Sequence, residues 1–118
     1  MVKSIVIGSI FAIGVTSALQ AETHVALGNL SFDMEVENCA VGDGHYLIDA
    51  AGEKSSLNVA ASEDYTAIDL YYIVDDKNLR AGESVDFIEL KDGQFVFSGD
   101  VSVSDETTKT LKLVVDAC

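Results

Sequence analysis

Apolar and polar residues alternate in short runs along most of the chain. Such a period of two places one set of side chains on a core and the other in water, which is the signature of a β-strand. The sequence therefore predicts an all-β fold. The alternating apolar positions are Leu30, Phe32, Met34 and Val36; Tyr46, Ile48 and Ala50; Leu57, Val59 and Ala61; Ile68, Leu70, Tyr72 and Val74; Phe95, Phe97, Val101 and Val103; and Leu111, Leu113 and Val115.

Turn residues separate these runs. They are Gly42-Asp43-Gly44, Ala51-Gly52-Glu53, Ala81-Gly82 and Asp92-Gly93. About seven short strands with such turns between them predict an antiparallel β-sandwich, with a small barrel as the alternative. Asp-Gly between two apolar runs is typical of a tight hairpin turn, so we expect residues 85–91 to pair with residues 94–104.

Two segments leave alternatives open. In an unbroken strand, Val85 and Phe87 would lie on one face, and Ile88 and Leu90 would lie on the other. This change of parity indicates a bulge near Phe87 or a strand buried on both faces. Residues 62–82 have the cap and charge layout of a helix, but their β-branched and aromatic residues repeat every second position. We interpret residues 62–82 as strand and keep helix as the alternative.

Residues 1–21 do not show this alternation of apolar and polar residues. Lys3 precedes an apolar stretch at residues 5–15, and small and polar residues lead to Ala21. This is the layout of a secretory signal peptide over residues 1–21, with Ala18 as a second cleavage position and an uncleaved anchor as the alternative. The stretch is shorter than the roughly 20 residues of a membrane span. We therefore expect a secreted or periplasmic protein with one mature domain, residues 22–118, and no membrane span.

Both cysteines, Cys39 and Cys118, lie in this mature domain. An even cysteine count in an exported chain predicts one disulfide, with two thiols as the alternative. In each of their strands, the alternation of apolar and polar residues assigns the cysteine to the polar face. These positions indicate a bridge at the strand ends or a bulge in each strand.

A first strand ends at Cys39, Lys91-Asp92-Gly93 is followed by an aromatic residue and Ser98-Gly99, and a last strand ends at Cys118. This arrangement, which covers most of residues 25–118, resembles the mycobacterial lipoprotein antigen family. The resemblance implies an exported β-rich domain with a disulfide, no known enzymatic activity and a part in surface exposure and host recognition. That family carries a lipid-modified cysteine after its signal peptide and a Thr-rich tether, and this chain has neither.

Charge and motifs exclude several functions. A formal net charge of −13 argues against binding nucleic acid or anionic lipid, both of which need clustered cations. The chain contains no nucleophile elbow, phosphate-binding loop or zinc-protease motif. His24 and His45 are too far apart in sequence to indicate a zinc site. We therefore predict no enzymatic activity, no catalytic residue, no metal site and no cofactor.

Binding is the function that remains. We predict an exported, non-enzymatic protein that binds an unidentified protein or small ligand through a sheet face or its loops. The alternatives are a carrier of a small ligand or of calcium, and an inhibitor of an exported enzyme whose basic cleft is blocked by an acidic loop. The acidic loops that calcium could use are Asp43, Glu63-Asp64, Asp75-Asp76 and Asp105-Glu106.

Overall fold

Nine β-strands form one curled antiparallel sheet in the computed structural model of the chain, which describes residues 23–116. The order across the sheet is β2-β1-β9-β8-β7-β6-β5-β4-β3. The described part of the chain contains no helix, and therefore none that could cross a membrane. The predicted signal peptide, residues 1–21, and Cys118 lie outside the described residues. The strands are β1 (His24–Leu27), β2 (Leu30–Phe32), β3 (Glu35–Gly42), β4 (His45–Gly52), β5 (Ser55–Ser62), β6 (Tyr65–Val74), β7 (Lys77–Asp86), β8 (Gln94–Val103) and β9 (Thr108–Asp116).

The all-β, antiparallel prediction is confirmed, but the count of about seven strands is wrong. The run that contains Leu30 and Val36 is not one strand, because the chain crosses between opposite edges of the sheet at residues 33–34. Gly52 permits this crossing, since a Cβ atom there would lie 2.2 Å from the backbone oxygen of Asp33. The predicted sandwich of two sheets is instead one sheet, because hydrogen bonding continues from β7 to β8.

Apart from turns at residues 63–64 and 75–76, residues 62–82 are strand, as interpreted, and most of them belong to the β6–β7 hairpin. Its turn residues, Asp75 and Asp76, both have positive φ, at 52° and 62°. Aspartate tolerates this left-handed conformation, and the resulting tight turn matches the twist of the strands. The predicted turn at Ala81-Gly82 is wrong, because both residues lie within β7 at the point where β8 joins it.

The hairpin predicted around Asp92-Gly93 forms only at its tip. Asp92 and Gly93 have φ values of 52° and 76°, and Lys91 and Gln94 exchange backbone hydrogen bonds of 2.9 and 2.8 Å. Beyond the tip, β8 pairs with β9 along its length but meets β7 at only two residue pairs. The strand before the turn ends at Asp86, so neither the bulge nor the doubly buried strand that we predicted near Phe87 is present.

Residues 87–90 cross the end of the sheet instead of pairing in it. The Ile88 N–H donates to Thr66 Oγ1 at 3.0 Å, and Tyr46 Oη donates to the Ile88 carbonyl at 2.5 Å. Phe87, Ile88 and Leu90 all pack against the buried core. The change of parity after Phe87 is therefore the end of a strand, fixed by side-chain hydrogen bonds from β4 and β6.

The predicted apolar rows line the inner face of the curled sheet. Nearly all of their residues are buried, and the rest pack against the core. The ring of Phe32 lies 5.3 Å from that of Tyr72, and the ring of Phe95 lies 6.1 Å from that of Tyr46. Since β2 and β8 contribute one ring of each pair and β6 and β4 the other, the two halves of the sheet cover each other's apolar face.

A bulge in β3 explains the parity of Cys39. The register against β4 shifts between Val36 and Asn38, so Cys39 comes opposite the buried Ile48 and shares its face of the sheet. A bulge in each cysteine strand was one of the two alternatives that the cysteine positions left open, and for Cys39 the structure shows it. The bridge to Cys118 stays a prediction, because Cys118 lies outside the described residues.

Two buried tyrosines provide a test of the core. Tyr46 Oη has a hydrogen-bond acceptor at Ile88, whereas Tyr72 Oη has no hydrogen-bond partner among the described residues. We expect Tyr46→Phe to lower the free energy of unfolding by about 1–2 kcal/mol, because it leaves a partly buried carbonyl unpaired. Tyr72→Phe, the matched control, should leave the free energy unchanged or raise it by up to about 1 kcal/mol. Urea unfolding of the two variants measures both changes, and an equal loss would contradict this assignment.

Candidate functional site

Three chain segments meet at one end of the sheet. The Glu63 N–H donates to the Gly44 carbonyl at 3.0 Å, and the Phe87 N–H donates to the Asp64 carbonyl at 3.2 Å. These bonds bring together the β3–β4 turn, the β5–β6 turn and the start of residues 87–90. We call this end the acidic mouth. It contains a cavity of about 240 Å³ lined by Val41, Gly42, Asp43, Gly44, His45, Tyr46, Phe87, Glu89 and Leu90.

The floor of the acidic mouth is apolar. The Tyr46 ring packs edge-on against Phe87, with 6.0 Å between ring centroids. Burial raises the pKa of Tyr46, so at neutral pH its hydroxyl stays protonated and donates to Ile88. Val41 is 55% exposed although it lies opposite the buried Tyr46, because β3 is the edge strand of the sheet that the described residues form. The site therefore presents apolar surface to solvent on a fixed aromatic support.

The rim of the acidic mouth is negatively charged. Two exposed carboxylates, Asp43 and Glu89, line the cavity, and no described Lys or Arg lines it. Three more exposed carboxylates lie on the adjoining segments, two on the β5–β6 turn and one at the end of β7. Among residues 23–116, none of the five forms an ion pair. Like charges grouped on one concave surface produce a local potential that attracts cations. The rim carboxylates are those of Asp43, Glu63, Asp64, Asp86 and Glu89.

The two histidines considered as zinc ligands lie on different strands, β1 and β4. His45 lines the acidic mouth, with Nδ1 3.1 Å from the Asp43 carbonyl oxygen, whereas His24 lies on β1. Within residues 23–116, no group of three or more His, Cys, Asp or Glu side chains is placed to hold a metal ion.

Two of the acidic loops have structural roles. Asp75 and Asp76 form the positive-φ turn of the β6–β7 hairpin. Asp105 accepts hydrogen bonds from the Thr107 hydroxyl at 2.5 Å and the Thr107 N–H at 3.1 Å. These bonds lower the pKa of Asp105 because they favour its charged form. Both loops are therefore explained by turn formation.

A second cavity, of about 410 Å³, lies on the outer face of β3–β7. Asn38, Asp49, Asn58 and Asp69 follow one another across four strands in register, and we call them the Asn/Asp ladder. The Asn58 amide donates to Asp49, and Arg80 Nη2 lies 3.2 Å from Asp69 Oδ2. Because its carboxylates already have such partners, the ladder is a weaker candidate for ligand binding than the acidic mouth.

Sequence reasoning found part of the acidic mouth. It identified Asp43, Glu63-Asp64 and His45, but it missed the apolar floor of Val41, Phe87 and Leu90. The change of parity after Phe87 predicts a bulge or a strand buried on both faces, whereas in the structure β7 ends at Asp86 and residues 87–90 lie at the acidic mouth. Comparison of the chain with protein-family models, curated proteins and solved structures found no match. The resemblance to the lipoprotein antigen family therefore stays a prediction, and the site is interpreted from its own geometry.

Proposed function

We propose that this chain is an exported, non-enzymatic binding protein whose acidic mouth recognises a basic segment of a partner protein. The observation that carries the proposal is an apolar floor beside a rim of carboxylates, in which Val41 is exposed and Phe87 and Leu90 are half-buried beside the buried Tyr46. Protein interfaces combine an apolar centre with buried aromatic anchors and a polar rim. The acidic mouth has the same arrangement on a small scale.

The size of the cavity favours a protein segment over a small-molecule ligand. Its volume of about 240 Å³ is below the roughly 300–1,000 Å³ of most small-molecule pockets. It can hold one or two side chains of a partner whose remaining contacts lie outside the cavity. The rim would attract Lys or Arg and speed the encounter, and the floor would then bury apolar surface at about 25 cal/mol per Å².

The same geometry supports inhibition of an exported enzyme as a second candidate. The acidic turns at residues 43–44 and 63–64 protrude together at one end of the sheet, as a blocking element for a basic cleft requires. The two candidates differ only in whether the basic partner is an enzyme. A calcium carrier would behave differently from both, because its thermal stabilisation by CaCl₂ would not be reproduced by NaCl at equal ionic strength.

Retention of proteins from an envelope extract tests the acidic mouth. We expect Asp43→Asn, Glu63→Gln and Glu89→Gln together to lower the amounts of the retained basic proteins, measured by mass spectrometry, by about tenfold. The control combines Glu53→Gln, Asp75→Asn and Asp76→Asn, which remove as many charges from turns at the opposite end of the sheet. Equal loss with both triple variants would show that net charge alone retains the proteins, and the acidic mouth would then be rejected.

Export has its own test. The layout of residues 1–21 supports cleavage after Ala21, so we expect the exported protein to begin at Glu22 and to carry no lipid. Intact-mass spectrometry of the protein recovered from the periplasm or the medium measures this directly. A mass that includes residues 1–21, or an added acyl chain, would contradict the prediction.

The position of Cys39 supports a bridge to Cys118. Cys39 lies on the inner face of β3, and Phe95, which pairs with Val115 near the end of β9, packs on Tyr46 of the neighbouring β4. We expect no titratable thiol in the denatured, unreduced protein, and a loss of about 2–4 kcal/mol in the free energy of unfolding on reduction. Detection of two thiols per chain would rule out the bridge.

A further inference from the structure

The strand β8 has an unprotected edge. It pairs with β9 without a break from Gln94 to Ser102, but its other side meets β7 only at Ser102 and Val103. From residue 94 to residue 101, no described strand lies on that side. An open strand edge presents backbone donors and acceptors to any extended chain that approaches it.

The hydrogen-bond pattern shows which groups face outward. Gln94 exchanges its N–H and carbonyl bonds with Lys91, on the side away from β9, and the Ser104 N–H bonds to Arg80 on that same side. Because successive residues of a strand direct these groups to alternate sides, Val96, Ser98 and Asp100 also direct theirs away from β9. Within residues 23–116, no backbone hydrogen bond occupies these positions.

The other edges of the sheet are protected. β3 carries a bulge between Val36 and Asn38 and the exposed charges of Glu35 and Glu37, and β2 is only three residues long. Bulges, charges and short length are the usual devices that prevent strand addition. The open part of β8 has no bulge, and its one charged residue is Asp100.

The side chains beside the open edge indicate what could pair with it. Val96, which is 44% exposed, and the exposed Ser98 and Asp100 lie on the outer face, and the half-buried Phe97 and Gly99 lie on the inner one. Directly opposite positions interact across strands, so a cation is favoured opposite Asp100 and apolar residues are favoured beside Phe97 and Gly99. A second copy of this chain is disfavoured, because each copy carries a net charge of −13.

We infer that the open edge of β8 binds an extended segment of a partner protein in which basic and apolar residues alternate, added as an antiparallel strand. This surface is distinct from the acidic mouth and does not depend on the function proposed for it. Backbone hydrogen bonds would supply affinity, and the alternating side chains would supply specificity.

A fluorescein-labelled, blocked peptide of alternating Lys and Val tests the inference by fluorescence polarisation. We expect saturable binding that weakens by about tenfold or more when Glu replaces Lys in the peptide. In the proposed register the Lys amides face β8 and the Val amides face away. Methylation of the backbone amide nitrogens of the Lys residues should therefore abolish binding to the unaltered protein. Methylation of the backbone amide nitrogens of the Val residues should preserve binding. Equal effects of the two N-methylated peptides would overturn the inference.

Variants of Ser98 locate the peptide on the protein. Ser98→Pro removes an outward N–H without removing a bond to β9, so it should fold and should weaken binding by about tenfold or more. Ser98→Ala keeps the backbone and should bind as the unaltered protein does. Slower hydrogen exchange of the Val96, Ser98 and Asp100 amides on peptide binding would support the site even if the proline variant does not fold. Unchanged exchange, or a dimer that Ser98→Pro dissociates, would overturn the proposed occupant.

Discussion

The fold of residues 23–116 depends on covering one apolar face of the sheet, and this part of the chain has no helix to do so. The chain does this by curling β8, β9, β1 and β2 over β4, β5 and β6, so that each half of the sheet buries the other. The turning point is where Ala81 and Gly82 pair with Val103 and Ser102. Ala81 is fully buried, and a Cβ atom at position 82 would lie 2.8 Å from the Ile68 carbonyl oxygen. Small residues at this corner let the strands approach closely enough to remain one sheet.

The curling also creates both candidate binding surfaces. Because β7 and β8 diverge from their corner, residues 87–93 must span the gap between Asp86 and Gln94. Phe87 and Leu90 on this connection provide part of the floor of the acidic mouth. The same divergence leaves one side of β8, over residues 94–101, without a neighbour among the described strands. The Asp92-Gly93 turn predicts a closely paired β7–β8 hairpin. Such a hairpin would have removed the open edge and placed residues 87–90 in the hydrogen-bonded sheet.

The sequence predicts what depends on neighbouring residues and misses what depends on distant ones. The inward rows of β4, β5, β6 and β9 and the tip of the Asp92-Gly93 turn follow from local periodicity and turn chemistry. The crossing at residues 33–34 depends on Gly52. The path of the chain after β7 depends on Ile88, which accepts a hydrogen bond from the Tyr46 hydroxyl and donates one to Thr66 Oγ1. These contacts join residues far apart in the chain, and no local pattern encodes them. The acidic mouth was therefore predictable in its charged turns but not in its apolar floor.

Because the protein is acidic, an open strand edge should promote self-association less than it would in a neutral protein. Exposed edges usually promote self-association, and this chain protects β3 with a bulge but leaves β8 open. Copies that carry a net charge of −13 repel one another, although at physiological ionic strength this repulsion acts only within a Debye length of about 8 Å. Strand pairing brings chains about 4.8 Å apart, which is well inside that range. The net charge therefore opposes pairing between copies. In the strand addition that we propose, the same charge would favour a basic segment at β8 and would take the place of local edge protection.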